Sequence, residues 1–303
     1  MDQEVGLVVK TRKPVLDRVS SLMAMIWLPI LLIVIWWFAS ASSTNLFFPP
    51  LEKIWQTTVK LFASGEMIVN IGVSLGNILA GLLFATVIGV ALGVLIGRIQ
   101  LLRELVDPLL EFFRAVPQTA LIPIIIGALG IGAAPKIFMI AFACVWPVLL
   151  NTIDGVRSLD PQIEDMSRAY RIPLALRLRR VILPAALAQI VAGIRVSLAI
   201  AVVVMIVSEF FASTAGIGYF IQSSSNGFRF RDVWSGALVI GVLGYVLSEL
   251  FRLFEHVALK WYFDSAALAQ GSAAPTARRS FLRRAPRSPA EPEPEPEPTR
   301  IPS

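Results

Sequence analysis

Six long apolar runs constrain this sequence more than any other feature, because each approaches the length of a membrane-spanning helix. They cover residues 24–40, 71–97, 106–129, 137–153, 185–207 and 233–254. A bilayer core needs about 20 apolar residues per helix, and a chain in lipid must satisfy its backbone hydrogen bonds internally. The composition agrees, since 56% of the residues are hydrophobic and the mean hydropathy is +0.71. We therefore predict an all-α, polytopic membrane helical bundle with about six transmembrane helices.

The first run could be mistaken for a secretory signal, because basic residues precede it and residues 39–41 resemble a cleavage site. Its charged lead is long, and its apolar run exceeds the usual signal core of about 7 to 15 residues. It also contains Trp36 and Trp37. We predict a first helix that is retained.

Lysine and arginine predict the orientation, because they are held on the cytoplasmic side of a membrane. The connections on one side contain Lys10, Arg12, Lys13, Arg18, Arg98, Arg103, Arg157, Arg168, Arg171, Arg177, Arg179 and Arg180. The connections on the other side contain Lys53, Lys60, Lys136, Arg229 and Arg231. Both termini are therefore predicted to be cytoplasmic. This use of basic residues, together with contact to membrane lipid, explains the net charge of +6 without a nucleic-acid partner.

Three regions follow from these patterns. Residues 1–23 are predicted to be a cytoplasmic lead, residues 24–262 a transmembrane domain, and residues 263–303 a disordered cytoplasmic tail. The tail ends in a Glu-Pro repeat and has too little apolar surface to offset the entropy of ordering. It could be solvated without a specific partner, or its basic half could touch anionic lipid.

The residues that usually carry enzyme chemistry are scarce. Cys144 is the single cysteine and lies in an apolar run, where packing is its expected role, and His256 is the single histidine. The sequence contains neither a GxxxxGK[ST] phosphate loop nor an HExxH motif. We therefore predict no catalytic residue, no metal site and no cofactor bound by this chain, and any ATP that drives it must be hydrolysed elsewhere.

Small residues recur every fourth position along the second run, at Gly81, Ala85, Gly89, Gly93 and Gly97, with Gly72 and Gly76 before them. This spacing predicts a tight seam with a neighbouring helix, since close contact drives helix association in lipid.

In the third run, Pro117 and Pro123 surround Gln118 and Thr119, and proline kinks a helix by removing a backbone donor. Gln118 and Thr119 are candidates for lining a pathway, although kinked helices also occur without that role.

Arg195 should lie well inside the fifth apolar run, where a charge costs on the order of 2.5 to 3.5 kcal/mol. It therefore needs a partner, and Glu111 and Glu209 are the candidates. Arg195 could attract an anion in a pathway, with Glu209 as a further pathway candidate, or it could form a buried ion pair that holds the bundle together.

A charged stretch between the fourth and fifth runs is predicted to form two short helices in a bent arrangement, over residues 161–184. Asp160 is a helix N-cap followed by proline, and the helix should stop before Pro173. A second helix should begin at Pro173 and end near Leu183 and Pro184, after a cluster of arginines.

The apolar residues of this bent pair, Met166, Tyr170, Leu174 and Leu176, lie on an otherwise charged surface. Such a surface fits a groove on a soluble partner. A helix that lies on the membrane, or a simple topology signal, are the alternatives.

The stretch resembles the cytoplasmic loop of ABC importer permease subunits, the binding-protein-dependent inner-membrane components. The loop of that family has a Glu-Ala-Ala motif, then a glycine, then an Ile-x-Leu-Pro ending. On it, Asp165 takes the glutamate position, Met166 and Ser167 the alanines, Arg171 the glycine, and Leu183 with Pro184 the ending. The segments FFRAVPQTALIPIIIGALGIG, NTIDGVRSLDPQ, RVILPAALAQIVAGIRVSLAIA and GIGYFIQ resemble the nitrate, sulfonate and taurine branch. The resemblance covers about residues 51–262.

This resemblance implies a type I importer permease of the bacterial inner membrane. Two permease subunits, often two copies of one chain, would form the pathway, and a cytoplasmic ATPase dimer would hydrolyse ATP. The ATPase would contact Asp165, Met166, Ser167, Arg168, Tyr170, Arg171, Leu183 and Pro184. A binding protein would deliver a small anion such as a sulfonate, taurine or nitrate to the external face, at Gly216, Gly218 and Tyr219.

Other functions stay open on the sequence alone. Family members that import thiamine-related pyrimidines share much of the sequence in these segments. A secondary transporter would also have kinked spans and a buried arginine, but it should show repeated halves and intramembrane acids. A membrane scaffold would need no polar pathway, so changes at Gln118 or Arg195 would leave transport untouched.

Overall fold

The structure, a computed structural model, describes residues 15–260, with side chains from Trp27 onward except those of Pro29, Arg114 and Ala212. Every regular element in that part of the chain is helical. The α-helices are α1 (Val15–Ser40), α2 (Leu51–Ala63), α3 (Glu66–Arg98), α4 (Gln100–Ala115), α5 (Ile122–Leu129), α6 (Ala133–Arg157), α7 (Pro161–Ala169), α8 (Leu174–Arg177), α9 (Leu183–Ala212), α10 (Ile217–Asn226) and α11 (Phe230–Ala258). The predicted tail lies outside the described residues, and residues 15–23 of the predicted lead belong to α1.

Four helical stretches are long and apolar enough to cross a membrane: Glu66–Arg98, Ala133–Arg157, Leu174–Phe211 and Phe230–Ala258. They confirm the second, fourth, fifth and sixth apolar runs as helices. A bent pair, α4 with α5, makes a fifth crossing if it is one span. The first predicted run lies in α1, whose described apolar part, Ile30–Ser40, is shorter than a span.

The third apolar run is broken rather than kinked. The axes of the helices Gln100–Phe113 and Gln118–Leu129 differ by 77°. Val116 is extended, with φ −72° and ψ 125°, because the ring of Pro117 excludes the residue before it from helical geometry. A short 3₁₀ turn, Gln118–Leu121, then leads into α5. Pro123 does not kink α5, because it lies in the first turn, where a backbone N–H would have no hydrogen-bond partner within the helix.

Glycines on α3 bring this helix into close contact with α6. A Cβ added at Gly81 would lie 2.5 Å from a methyl carbon of Ile140, and one at Gly93 would lie 2.6 Å from Cβ of Thr152. Gly89 and Gly97 face Val148 and Val156 in the same way, and Ala85 between them is fully buried. Gly72 and Gly76 have no such neighbour within 4 Å. The predicted seam is therefore confirmed from Gly81 onward and is absent before it.

The other side of α6 packs against α9. A Cβ at Gly155 would lie 2.8 Å from Cβ of Gln189, and one at Gly193 would lie 2.9 Å from Cβ of Asn151. Cys144 and Ser197 exchange hydrogen bonds, with Sγ to the Ser197 carbonyl at 3.2 Å and Oγ to the Cys144 carbonyl at 2.8 Å. The core thus lies between α3, α6 and α9, with α6 in the middle.

The bent pair predicted at residues 161–184 differs in its second half. Its second helix begins at Leu174, after Pro173 as N-cap, and continues through a π-helical turn, Leu178–Ile182, into α9. No break separates it from the membrane span, so Leu174–Phe211 is one continuous helical stretch. The predicted separate short helix is therefore the first part of a long one.

The described residues up to Glu255 form one compact unit, and those from His256 onward, which include the end of α11, belong to a second. In the first unit, α10 packs through Ile217 and Phe220 against Met67 of α3 and Val239 of α11. This packing holds the turn between α9 and α10 at the end of the spans that lies opposite to α7.

Candidate functional site

The elbow formed by α7 and α8 begins where the sequence predicts. Asp160 caps α7, with its Oδ1 accepting a hydrogen bond from the Gln162 backbone N–H at 2.8 Å. Pro161 occupies the first turn, where its missing N–H leaves no donor unused. Local chemistry at two residues therefore determines where the elbow starts.

The elbow turns at Arg171, which has a φ of +52°. The Ile172 N–H donates to the Ser167 carbonyl at 3.1 Å, and the Tyr170 N–H donates to the Met166 carbonyl at 3.0 Å. The bond from Ile172 to Ser167 spans six residues and is typical of a Schellman motif. In that motif a residue in the left-handed conformation, usually glycine, ends the helix. The family motif that this stretch resembles has glycine at this position, and here an arginine adopts the left-handed conformation.

Replacing Arg171 with glycine is expected to stabilise the purified protein by about 1 kcal/mol, because a side chain in the left-handed region costs about 1–2 kcal/mol that glycine avoids. Thermal unfolding in detergent, without the ATPase, measures the change. Ala169→Gly is the matched control, since glycine at a helical position should destabilise by about 1 kcal/mol. A loss of stability in Arg171→Gly equal to that of Ala169→Gly would contradict the left-handed turn.

The outer surface of the elbow is apolar in an otherwise charged setting. Tyr170 is 76% exposed, Leu174 67% and Met166 59%, and Leu176 is also exposed. Asp165, Arg168 and Arg171 are exposed beside them, as expected. The remaining candidates, Ser167, Leu183 and Pro184, are buried or half-buried, and Ser167 Oγ donates to the Glu164 carbonyl at 2.7 Å. The exposed part of the predicted docking set is therefore confined to α7 and the turn.

An ion pair that the sequence did not predict ties the elbow to a membrane span. Glu164 of α7 accepts from Arg98, the last residue of α3, at 2.7 Å and from Arg168 at 2.8 Å. The hydrogen bond from Arg98 holds the pKa of the Glu164 carboxyl below its usual range. A charge-assisted pair of this length joins the two helices directly. The sequence showed Arg98 only as a marker of orientation.

The pathway candidates lie apart from one another. Gln118 is half-buried and Thr119 exposed, in the turn that breaks the third run. Arg195 is 51% exposed on α9 and forms an ion pair with Glu255 of α11 at 3.2 Å. The predicted partners, Glu111 and Glu209, are therefore wrong, because the rotation of α9 turns Arg195 toward α11.

Glu209 is fully buried at the far end of α9. Its carboxylate accepts from Ser74 Oγ at 2.9 Å, from the Gly218 N–H at 2.9 Å and from Asn77 Nδ2 at 3.4 Å. Within this subunit it therefore joins α3 to the turn that follows α9, and it does not face an open surface.

That turn, residues 213–218, is held by polar side chains from two other helices. The Gly216 N–H donates to Asn70 Oδ1 at 2.9 Å, and the Ile217 N–H donates to Ser74 Oγ at 2.9 Å. Buried Lys136 of α6 donates to Ser213 Oγ at 2.9 Å. Tyr219, the next residue, is 38% exposed. The turn is thus fixed at its backbone while Tyr219 remains accessible.

Glycine is required at Gly216. Its φ is +116°, a conformation that side chains rarely adopt, and a Cβ there would lie 2.4 Å from the Glu209 carboxylate. Asn70, Ser74 and Asn77, which sequence reasoning missed, recur at helical spacing within an apolar run. That polar stripe was the available signal for a buried polar contact.

Among the side chains that the structure describes, from residue 27 to residue 260, no three of His, Cys, Asp or Glu lie close enough together to hold a metal ion. The arrangement instead offers an exposed apolar elbow at one end of the spans and a rigid polar turn at the other. Both ends of the spans therefore offer accessible surface, the apolar elbow at one end and Tyr219 at the other.

The chain is similar to known transport permease proteins. An aliphatic sulfonates transport permease protein assigned as SsuC in Bacillus subtilis is 32% identical over 77% of this chain and 86% of its own length. The taurine transport system permease protein TauC of Escherichia coli is 26% identical over 76% of this chain and 86% of its own. A solved inward-facing structure of the MetNI methionine ABC transporter shares the fold, with a TM-score of 0.56 and 17% identity over 63% of this chain and 95% of its own.

The family model for the binding-protein-dependent transport system inner membrane component matches residues 85–257. That range includes the seam of α3 from Ala85 onward, the elbow, Arg195 and the polar turn. The chain belongs to this family, and it is a permease subunit of an ABC importer.

Proposed function

We propose that this permease carries a small oxyanion, such as an alkanesulfonate, taurine or nitrate, which a separate binding protein delivers and a separate ATPase dimer drives with ATP. The observation that carries the proposal is the elbow, whose exposed apolar residues Met166, Tyr170 and Leu174 surround a sharp turn at Arg171. An exposed apolar patch rimmed by charge is typical of a protein interface. The names of the relatives support the substrate class.

Movement of the elbow would reach the membrane by two routes. The Glu164–Arg98 ion pair, at 2.7 Å, would pull on the end of α3. The continuous helix from Leu174 to Phe211 would carry the same displacement along α9. ATP binding to the partner would then favour one of two arrangements of the bundle, which is the thermodynamic requirement for such a switch.

The orientation follows from the charge pattern. We place the elbow and both termini in the cytoplasm, and the turn at Gly216, Gly218 and Tyr219 outside, in the inner membrane of a bacterium. The turn supports contact with a binding protein, because its backbone is fixed and Tyr219 is accessible. Glu209 would support that turn from within the subunit.

A second permease, most simply a second copy of this chain, would complete the pathway. Arg195 lies half-exposed on α9 although it is inside a membrane span, and Gln118 and Thr119 interrupt the bent third run. In a dimer these polar groups would face the pathway, where the half-exposed guanidinium of Arg195 would offer hydrogen-bond donors to a small anion. No cofactor bound by this chain is required.

The docking role is tested by truncating exposed side chains of the elbow. In the double variant Met166→Ala with Tyr170→Ala, the amount of ATPase that co-purifies should fall at least about tenfold, since buried tyrosines at interfaces are often worth 2 kcal/mol or more. Membrane insertion should be unchanged, because both side chains are exposed. Leu101→Ala, also at an exposed site and at the same end of the spans, is the matched control.

Normal retention of the ATPase by the double variant would refute the docking role.

The substrate class is tested on the same reconstituted importer by uptake of labelled taurine with and without excess alkanesulfonate or nitrate. Arg195→Gln should reduce that uptake while leaving ATPase retention intact. Uptake that no small oxyanion inhibits would refute the substrate class and leave the docking role standing.

A further inference from the structure

A basic pocket lies at the end of the spans opposite to the elbow, between the segment that follows α1 and the start of α11. Its volume is about 440 Å³, and its lining includes Asn45, Leu46, Lys53, Arg229, Arg231 and Asp232. Only five basic residues lie in the connections predicted to be outside the cytoplasm, and three of them line this pocket. Such a cluster of positive charge needs an explanation.

The positive charge of the pocket is only partly compensated. Arg229 pairs with Asp232 at 3.1 Å and donates to Ser224 Oγ at 3.3 Å. Lys53 and Arg231 are exposed, and neither makes an ion pair with any residue from 27 to 260. Three cations therefore face one carboxylate, and the pocket is set up to receive an anion.

The wall of the pocket is ordered by its own hydrogen bonds. Ser43 Oγ donates to the Phe48 carbonyl at 2.6 Å, and the Phe47 N–H donates to Asn45 Oδ1 at 2.9 Å. Trp234 Nε1 donates to the Phe47 carbonyl at 2.9 Å, which fastens the segment to α11. The shape of the pocket is thus present before any ligand arrives.

Aromatic residues place the pocket at the surface of the membrane. Ring centroids lie 5.5 Å apart for Trp36 and Trp234, 5.9 Å for Phe48 and Trp234, and 4.6 Å for Phe47 and Phe230. Clusters of tryptophan and other aromatic residues at the ends of spans mark the headgroup level of a bilayer. This pattern indicates that the pocket lies at the level of the lipid phosphates.

The rim of the pocket is apolar and exposed. Leu46 is 60% exposed and Phe228 67%, and both line the pocket. Phe228 has a φ of +53°, which is unusual for a bulky residue, and such conformations cluster where a ligand is held. A ligand for this surface would combine an anionic group for Lys53 and Arg231 with hydrocarbon for the rim.

We propose that this pocket binds the phosphate headgroup of an anionic phospholipid, with the acyl chains against Leu46 and Phe228. A free oxyanion would use the cations but would leave the apolar rim in water. An acidic partner protein would not need a pocket at headgroup depth. The assignment does not depend on the transported substrate, and it rests on the proposed orientation only for the leaflet, which would be the outer one.

The first test counts bound lipids on the purified full-length protein by native mass spectrometry after exchange into phosphatidylglycerol or phosphatidylcholine. The native protein should retain phosphatidylglycerol in preference. The double variant Lys53→Gln with Arg231→Gln should lose that preference by about tenfold, since each basic residue near a charged membrane surface contributes appreciably. Both side chains are exposed, so the fold should persist.

Lys60→Gln is the matched control for Arg231→Gln, because it removes one exposed charge on the same side outside the pocket. Equal losses in these two single variants would show general electrostatic attraction and would overturn the site. Displacement of the lipid by millimolar inorganic phosphate would show a site for free oxyanions and would overturn the lipid assignment.

A photo-crosslinker in place of Leu46, used in living cells, distinguishes lipid from protein. A phospholipid adduct that disappears in the Lys53→Gln, Arg231→Gln background supports the proposal. A protein adduct, or a lipid adduct that persists in that background, overturns it.

Discussion

Gly93→Val is expected to separate α3 from α6 and to remove most of the folded protein from the membrane. An added Cβ at this position would lie 2.6 Å from Cβ of Thr152 and 2.9 Å from the Leu149 carbonyl oxygen. The second of these is backbone, so no rotation of a side chain relieves the contact. We expect a cost of about 3 kcal/mol, at the upper part of the usual range for overpacked cores. Thermal unfolding in detergent and the yield of monodisperse protein measure it.

Gly76→Val is the control, because it is the same change on the same helix at a position with no neighbour within 4 Å. Its helix propensity cost is the same, so any difference between the two variants reports the seam alone. Similar stabilities for both would show that α3 and α6 are not in close contact at Gly93.

Glu209→Ala is expected to release the turn that precedes α10 and to destabilise the protein by about 3 kcal/mol. The change leaves the Gly218 N–H, Ser74 Oγ and Asn77 Nδ2 without their shared acceptor in a fully buried site. Each buried polar group left without a partner costs about 1–3 kcal/mol. Buried Lys136 would also lose the nearby negative charge.

The measurement is thermal unfolding combined with limited proteolysis of residues 213–218, which should become sensitive. Ser208→Ala is the control at the adjacent buried position, because Ser208 Oγ bonds only to the Met205 carbonyl of its own helix. Glu209→Gln should fall between the two, since an amide keeps one acceptor oxygen. Protection of the turn in Glu209→Ala would show that Glu209 does not hold it.

The elbow shows which helix boundaries can be predicted from local sequence and which cannot. Its start at Asp160 and Pro161 and its halt before Pro173 were predictable, because capping and proline geometry depend on a few neighbouring residues. Its continuation from Leu174 through a π turn into α9 was not, since helix propensity does not tell whether two helical stretches join without a break. The ATPase role of the elbow stays a proposal.

The glycine pattern shows a similar limit. A repeat at every fourth residue predicts one face of α3, and Gly81, Gly89, Gly93 and Gly97 do face α6. Gly72 and Gly76 have no neighbour within 4 Å, because the step from Gly76 to Gly81 is five residues and turns them away from the face that α6 covers. A repeat of small residues therefore predicts a seam only where its four-residue spacing is kept.

Taken by itself, the sequence determined that this protein is a helical membrane bundle, where α7 begins, and which small residues of α3 share a face from Gly81 onward. These properties depend on apolar periodicity and on contacts between near neighbours in the chain. The tertiary structure decided that Arg195 pairs with Glu255, that Glu164 binds Arg98, and that Glu209 meets Ser74 across 135 positions. Such pairs depend on how each helix is rotated and how far it slides against its neighbours, and only the packed bundle sets those quantities.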